Sequence, residues 1–533
     1  MNTPEPAAPP LLAPSLAHLL RTQAGRIGAN ELLRFEGQQM TFTEVDVRSN
    51  QLARVLQAGG IAPGDRVAVM LPNGLEFPVA WLAIAKARAV MVPINTQYRA
   101  HDLAYTLADS GARLLLADES YVAAVKEVEG RCPALQAVQV VQRGAMVSAD
   151  AGAFARHVHT QPTDFDLTDI CATDLLNIQY TSGTTGDPKG CMLTNEYWVR
   201  LAERSSRFSG MSADDVALTA QPFYYMDPQW NVGMCLVAGC PLVILPRFSA
   251  STFWKSVKDS GATFFYVLGT MPVFLLKQPV DPAVERGHRV RFVACSGIVP
   301  QLHRAFEERW GVPWREAFGM TETGVDLAVP VQDTDCVGSG AVGRPVDGKE
   351  ARIVDAEGRV LGDGAVGELC VRGTGMMLGY WNKPAATAER MRDGWLHTGD
   401  LAFRDDRGYY HLVGRLKDMI RRGGENISAA EVEGVLAQHP AVRGAAVVPV
   451  PDELRGEEVK AYVQLQPDHP AVEPLAIVEF VRQHLAAFKA PRFVEFVDEF
   501  PRTPSERIAK HVLVASKPNL REGSYDALTG TWL

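Results

Sequence analysis

Short apolar runs alternate with longer stretches of helical period along the first two thirds of the chain. Residues 66–71 and 89–93 read as strands, residues 112–117 as a third, and residues 77–86 and 101–110 as the helices between them. That rhythm predicts parallel βαβ units. Residues 137–175 form a less regular connection, and the apolar run 175–179 then reads as a strand leading into a loop at 180–190. The alternation resumes with strands at 242–245, 264–268 and 290–294 and a helix at 251–260. After Thr323 the texture changes. Residues 338–414 are rich in glycine and turn dipeptides, with short strands at 351–354 and 367–372, which suits a small β-barrel-like subdomain. Helices at 428–439 and 473–487 and strands at 444–450 and 460–465 predict a separate α+β lid. The expected architecture is therefore α/β: a large domain of parallel layers over residues 1–414, a hinge at 415–419, and a small C-terminal lid over 420–533 whose polar tail after Val514 decorates the surface.

Composition narrows the partners. The chain has 533 residues, and its formal net charge of -9 argues against a nucleic-acid backbone, which needs clustered Lys and Arg. Small molecules are the expected partners. The eight cysteines are scattered without a Cys-x-x-Cys pair, so they read as reduced thiols that fill core and loops, consistent with a cytoplasmic setting. The first twenty residues lack a basic leader and are broken by prolines, which suggests a loose tail rather than a signal peptide. No apolar run is long enough to predict a membrane span.

The loop at 180–190 reads Tyr180-Thr181-Ser182-Gly183-Thr184-Thr185-Gly186-Asp187-Pro188-Lys189-Gly190. Glycines let backbone N–H groups turn inward, the Thr and Ser hydroxyls add donors, and Lys189 adds a fixed charge. A polyphosphate fits such a loop. It is not a Walker A loop, because Pro188-Lys189 stands where Gly-Lys is required after Gly183. A second apparent phosphate motif, Gly338-Ser339-Gly340-Ala341-Val342-Gly343, is rejected as a dinucleotide site. No strand leads into it, and Pro345 and Gly348 would break the helix that must follow.

Glu316-Ala317-Phe318-Gly319-Met320-Thr321-Glu322-Thr323 closes the second βα series, where open sheets bind ligands beyond their strand ends. Phe318 offers a flat face for a base, Thr321 a hydroxyl, and Glu322 a hard carboxylate suited to Mg²⁺. A helix cap is the plain alternative for Thr-Glu-Thr.

The 180–190 loop resembles the phosphate-loop signature of the adenylate-forming superfamily, which includes acyl-CoA synthetases, peptide-synthetase adenylation domains and luciferases. The 316–323 run resembles its second nucleotide motif, with Phe318 where Tyr is more usual. The resemblance extends from about Leu32 to Val514. It implies that Thr181, Ser182, Gly183, Thr184, Thr185 and Lys189 surround phosphates, and that Ser296, Gly297, Ala317, Phe318, Gly319 and Thr321 surround the nucleotide. It implies further that Asp400 holds the ribose hydroxyls, with Arg415 beside ribose or phosphate, and that Lys417 is the hinge. Gly423, Gly424 and Glu425 match the loop that accompanies the CoA arm. The usual C-terminal lysine is replaced by Arg507, which presents a longer planar fork. Arg507 does that work, or Lys510 substitutes; if residues 507–510 form a strand, Lys510 points away.

The acyl pocket resembles that of the crotonobetaine/carnitine-CoA ligase branch, with Tyr225 at the usual His and Met226, Asp227, Trp230 and Gly269 as its other residues. Asp227 with Tyr224, Tyr225 and Trp230 forms either an anionic aromatic cage for a quaternary ammonium or an Asp-Pro cap for the following helix. The implied activity is a two-step ligation that uses ATP, Mg²⁺ and coenzyme A: a carboxylic acid is adenylated with release of pyrophosphate, and CoA then displaces AMP while the small domain rotates. Loading of a carrier protein, or adenylate binding without turnover, are the alternatives. A homodimer is compatible with the resemblance.

Overall fold

A computed structural model of the chain describes residues 10–181, 188–269, 271–416, 418–423, 425–467, 469–470, 472–502 and 508–533. Ser182, Gly183, Thr184, Thr185, Lys417, Gly424 and Arg507 lie outside the described residues. The described residues divide into two compact units, the first drawn from residues 10–181, 188–351 and 371–396 and the second from residues 352–370 and 397–533.

In the first unit the strand Arg66–Met70 pairs in parallel with Val90–Pro93 on one side and Leu114–Ala117 on the other. The sheet continues through Ala137–Val140 at one edge and Leu175–Thr181 at the other, and Lys189–Thr194 closes it antiparallel to Leu175–Thr181. The connection at 137–175 is more regular than the sequence suggests, holding the edge strand Ala137–Val140 and the helix Ala153–His159. The intervening helix Glu76–Lys86 is buried along its whole length, as expected of an apolar helix packed inside the unit. Its one internal cation, Lys86, is held by Asp46, Ser49 and Asn50, and burial lowers its pKa to about 8.

A second sheet in the same unit runs Leu242–Ile244, Ala217–Thr219, Phe264–Leu268, Phe292–Ser296 and Trp314–Met320, all parallel, followed by antiparallel Gly324–Ala328 and Ala341–Pro345. Trp254, Phe306, Trp310 and Trp314 pack under it within one buried cluster. These aromatic groups fix the strands that carry Gly269 and Ser296 at their carboxyl ends and Ala317 midway along the third.

In the second unit the strand Gly456–Leu465 is the spine, with Val442–Asp452 antiparallel on one side and Phe493–Phe496 parallel on the other. Helices Ala429–Leu436 and Pro474–His484 bury Val432, Leu436, Ile477 and Val481 against it. The tail does not merely decorate the surface. Tyr525–Asp526 pairs antiparallel with Phe493–Phe496, Ala527 packs against the core, and Arg492 clasps Asp526 through Nε at 3.2 Å and Nη2 at 3.0 Å. A polar segment joins a sheet when its backbone completes the ladder and a half-buried guanidinium takes its carboxylate, neither of which hydropathy reports.

Among the described residues no helix is long and apolar enough to cross a membrane.

Candidate active site

The phosphate-loop hairpin begins from a strand pair in which Thr181 faces Lys189 across the ladder. Its base is pinned from outside. Tyr180 Oη donates to Asp109 at 2.6 Å, and Tyr105 Oη donates to the Pro188 carbonyl at 3.1 Å. Residues on either side of the loop are thereby held.

A segment the sequence analysis did not single out runs alongside. The N–H of Leu378 donates to Met192 O, that of Trp381 to Gly190 O, and that of Met377 to Glu322 O, each within 2.9 Å. It delivers Tyr380, which is 3 % exposed, to both charged groups of the site. Tyr380 Oη donates to Glu322 Oε1 at 2.7 Å, and Lys189 Nζ lies 5.3 Å from the centre of the Tyr380 ring. Burial, then the Glu322 carboxylate, raises the Tyr380 pKa, so the phenol stays a donor. One side chain therefore links the loop cation to the acidic motif. The available signal was Gly379-Tyr380-Trp381-Asn382, an aromatic pair inside turn chemistry.

Glu322 is itself braced. Tyr197 Oη donates to the carbonyl of neighbouring Thr321 at 2.9 Å. Buried Lys349 donates to Thr323 O at 2.6 Å and pairs with Asp326 at 3.2 Å, while Thr323 Oγ1 donates to Asp326. Thr-Glu-Thr is not a helix cap here: it lies in the turn between strands Trp314–Met320 and Gly324–Ala328. A side chain at Gly319 would meet Gly324 O at 2.0 Å, so only glycine allows that turn. A buried carboxylate with free lone pairs on a rigid turn fits a hard divalent cation such as Mg²⁺.

Three neighbouring parallel strands end at one crest. Gly269 N donates to Ser296 O at 2.9 Å, and Ser296 Oγ donates to Ala317 O. Gly297 takes φ +93, a left-handed conformation, and stays exposed. Glu316 sets this turn: its two carboxylate oxygens accept the N–H groups of Gly297 and Ile298 at 2.6 and 2.7 Å. Burial pushes the Glu316 carboxyl up to about 8, against the pull of those two N–H groups. Phe318 is mostly buried beside this crest, and Thr321 is half-buried.

The expected acyl-pocket residues open the helix Met226–Ala238. The cap reading of Asp227 fails, because Tyr225 occupies the cap position and Asp227 sits within the first turn. The aromatic side chains form two pairs. Tyr224 and Tyr225 meet edge to face at 4.6 Å, and Trp230, one helical turn from Asp227, meets Tyr266 at 5.4 Å. Tyr266 was not foreseen; its hydroxyl pKa is raised well above normal by burial and then by Asp227, and Ser296 opposes the shift by hydrogen bonding. It therefore joins the crest to the aromatic wall. Buried amides tie that wall to the phosphate-loop strand: Gln179 donates to Tyr224 O at 2.7 Å, and Asn177 to Gln229 at 2.9 Å.

In the second unit Arg415 Nε pairs with Asp400 Oδ1 at 3.2 Å across the hairpin of Trp395–Arg404 with Tyr410–Arg415. The Gly423 N–H donates to Arg455 O at 2.8 Å, and Glu425 opens the strand Glu425–Ser428; a cavity of about 1040 Å³ in the same unit is lined by both signs of charge, among them Arg422, Arg492, Asp452 and Glu458. Lys510 is not on a strand; it opens the helix Lys510–Ala515 and pairs with Glu433 at 2.7 Å.

Comparison with known proteins gives the same reading. Residues 20–381 match the family described as AMP-binding enzyme, and residues 431–507 match the AMP-binding enzyme C-terminal domain. Crotonobetaine/carnitine–CoA ligase of Proteus mirabilis (strain HI4320) is 33 % identical over 482 residues, 89 % of this chain and 92 % of that protein. Fatty acid–[acyl-carrier-protein] ligase ScoC of Streptomyces coeruleorubidus is 34 % identical over 489 residues, 90 % of this chain and 92 % of that protein. Among solved structures, ATP-bound MatB from Rhodopseudomonas palustris superposes with a TM-score of 0.84 at 28 % identity, covering 94 % of this chain and 98 % of that one. This chain belongs to the AMP-binding enzyme family and is an adenylate-forming, AMP-forming acid–thiol ligase.

Proposed function

We propose that the chain ligates coenzyme A to a carboxylic acid that also bears a cationic group, with the carnitine class the first to test. The observation that carries this reading is the half-buried Asp227 one helical turn from Trp230, with Tyr266 edge-on to that indole. A carboxylate beside aromatic faces favours a quaternary ammonium by about 1–2 kcal/mol over a neutral isostere. The similarity to a crotonobetaine/carnitine–CoA ligase supports the same class.

In this reading Lys189 and Thr181 attend the phosphates. Glu322 would take Mg²⁺, which supplies charge neutralisation when bound. The Ser296–Gly297 crest with Ala317, Phe318, Gly319 and Thr321 receives the base, and Asp400 with Arg415 serves the ribose. The acid attacks the α-phosphate, and pyrophosphate leaves. Since Lys510 is engaged by Glu433, Arg507 is the cation assigned to adenylation. Gly423 and Glu425 are assigned to the arm of coenzyme A.

The test is mass-spectrometric detection of the thioester, with AMP and pyrophosphate, across carnitine, crotonobetaine, and uncharged fatty, benzoic and cinnamic acids. The expected result is a thioester with the cationic acids, and a loss of roughly tenfold in their preference on Asp227→Asn. Equal turnover of an uncharged acid of the same length refutes the assignment. The likeness to a fatty acid–[acyl-carrier-protein] ligase supports a second reading, in which AMP release depends on a carrier protein instead of CoA.

A further inference from the structure

Cys370, an unremarkable core thiol in the sequence, is brought next to two other metal-binding side chains. Glu368 and Cys370 project from the strand Gly367–Gly373, and His397 lies on its neighbour, Trp395–Arg404. His397 Nδ1 lies 2.7 Å from Glu368 Oε2 and 3.3 Å from Cys370 Sγ. The three ligand atoms fall within 4.8 Å of one another. The ring nitrogen thus sits between a carboxylate oxygen and a sulfur. A divalent cation between them would use all three.

We propose that Glu368, Cys370 and His397 form a zinc site, bound through Oε2, Sγ and Nδ1, with water completing the tetrahedron. The donor set selects the metal. Thiolate and imidazole favour zinc over magnesium or calcium, which want oxygen alone. Bond lengths of about 2.0–2.3 Å to such ligands set the donors roughly 3–4 Å apart, so the 3.3 Å nitrogen–sulfur spacing already fits and the 2.7 Å nitrogen–oxygen spacing opens slightly on binding. The surroundings hold the ligands in place as outer-shell partners do. Glu368 Oε1 accepts the Gly399 N–H at 3.0 Å, and Thr398 Oγ1 donates to Leu369 O at 2.7 Å. Cys370 is fully buried and His397 nearly so, while Glu368 is half-buried and offers the route from solvent. Binding releases the thiol proton to solvent. The site lies three residues before Asp400, whose N–H donates to Thr398 Oγ1 at 3.0 Å, so the ion clamps the strand that presents this carboxylate.

The experiment uses the full chain with the exposed Cys171 replaced by serine, so that the one exposed thiol does not compete. Co²⁺ is titrated into chelator-treated protein and followed by absorption, and Zn²⁺ is then added. The expected result is one equivalent of Co²⁺ with a thiolate charge-transfer band in the near ultraviolet and the strong visible bands of a tetrahedral ion, displaced by Zn²⁺. Cys370→Ser should abolish the charge-transfer band. Glu368→Gln, which keeps thiol and ring, should weaken binding by about 10–100-fold. Absence of the band in the parent protein overturns the proposal whatever the variants do. So does a band of undiminished intensity in Cys370→Ser, or unchanged affinity in a folded Glu368→Gln protein.

Discussion

Tyr380→Phe removes one oxygen from the centre of the site and leaves the ring in place. The lost contact is the 2.7 Å donation to Glu322, a carboxylate that is 7 % exposed. A hydrogen bond to a charged group contributes about 1.5–3 kcal/mol, and stranding a buried carboxylate costs a similar amount. At about 1.4 kcal/mol per tenfold, this corresponds to a drop of roughly 10–100-fold in the rate of pyrophosphate release. The ring persists, so Lys189 keeps its aromatic neighbour and the substitution isolates the hydroxyl. Tyr380 acts through Glu322 as a positioning residue, and the discriminating readout is the Mg²⁺ dependence of pyrophosphate release at saturating ATP. Loss of an outer-shell partner weakens metal affinity by about 10–100-fold, so the Mg²⁺ midpoint should move to higher concentration. A folded variant with an unchanged Mg²⁺ midpoint would refute the assignment of Glu322 as metal ligand, of Tyr380 as its support, or both.

Glu316→Gln should alter stability in a pH-dependent way. The folded carboxyl titrates near 8 and the unfolded one near 4.5, so the folded state retains a proton that the unfolded state releases between those values. Wild-type stability therefore carries a contribution that is complete below pH 4.5 and lost as pH rises to 8, at up to about 1.4 kcal/mol per unit, and denaturant titrations should show this slope vanish in the variant. Asp400→Asn should raise the KM for ATP by roughly tenfold while leaving the KM for the acid nearly unchanged, since the ribose acceptor proposed above and the Arg415 pair are lost together. Asp526→Asn should destabilise the second unit by about 1–3 kcal/mol, measured as faster amide exchange in Phe493–Phe496. Burial raises the Asp526 carboxyl, but Arg492 outweighs it and holds the group below the usual carboxylate range, so this contribution is present at neutral pH and is lost as pH falls through that depressed value.

Local pattern carried much of the architecture. Alternation of apolar runs with helical stretches was enough to place strands such as Phe264–Leu268, which match the structure residue for residue, and to predict parallel βαβ layers and a separate lid. Hydropathy is a short-range property, and parallel strands buried on both faces write it plainly. It misjudged the tail after Val514, where the partners are a backbone ladder and Arg492, and Lys510, which opens a helix where a strand over 507–510 was considered.

The site divides in the same way. The chain by itself offered candidates in contiguous runs: the hydroxyl-rich loop ending at Lys189, the Glu322 carboxylate, and the run that carries Asp400. Their spacing along the backbone is the signal, because each run must wrap one part of a ligand. Only the tertiary structure decided what stands between the runs. Tyr380 joins Lys189 to Glu322, Tyr266 joins Trp230 to the Ser296 crest, Glu316 holds the Gly297 turn, and His397 meets Cys370. Each of these pairs is separated by many residues and created by strand order and helix packing. No local pattern encodes them, since the free energy that places them belongs to the packed sheets.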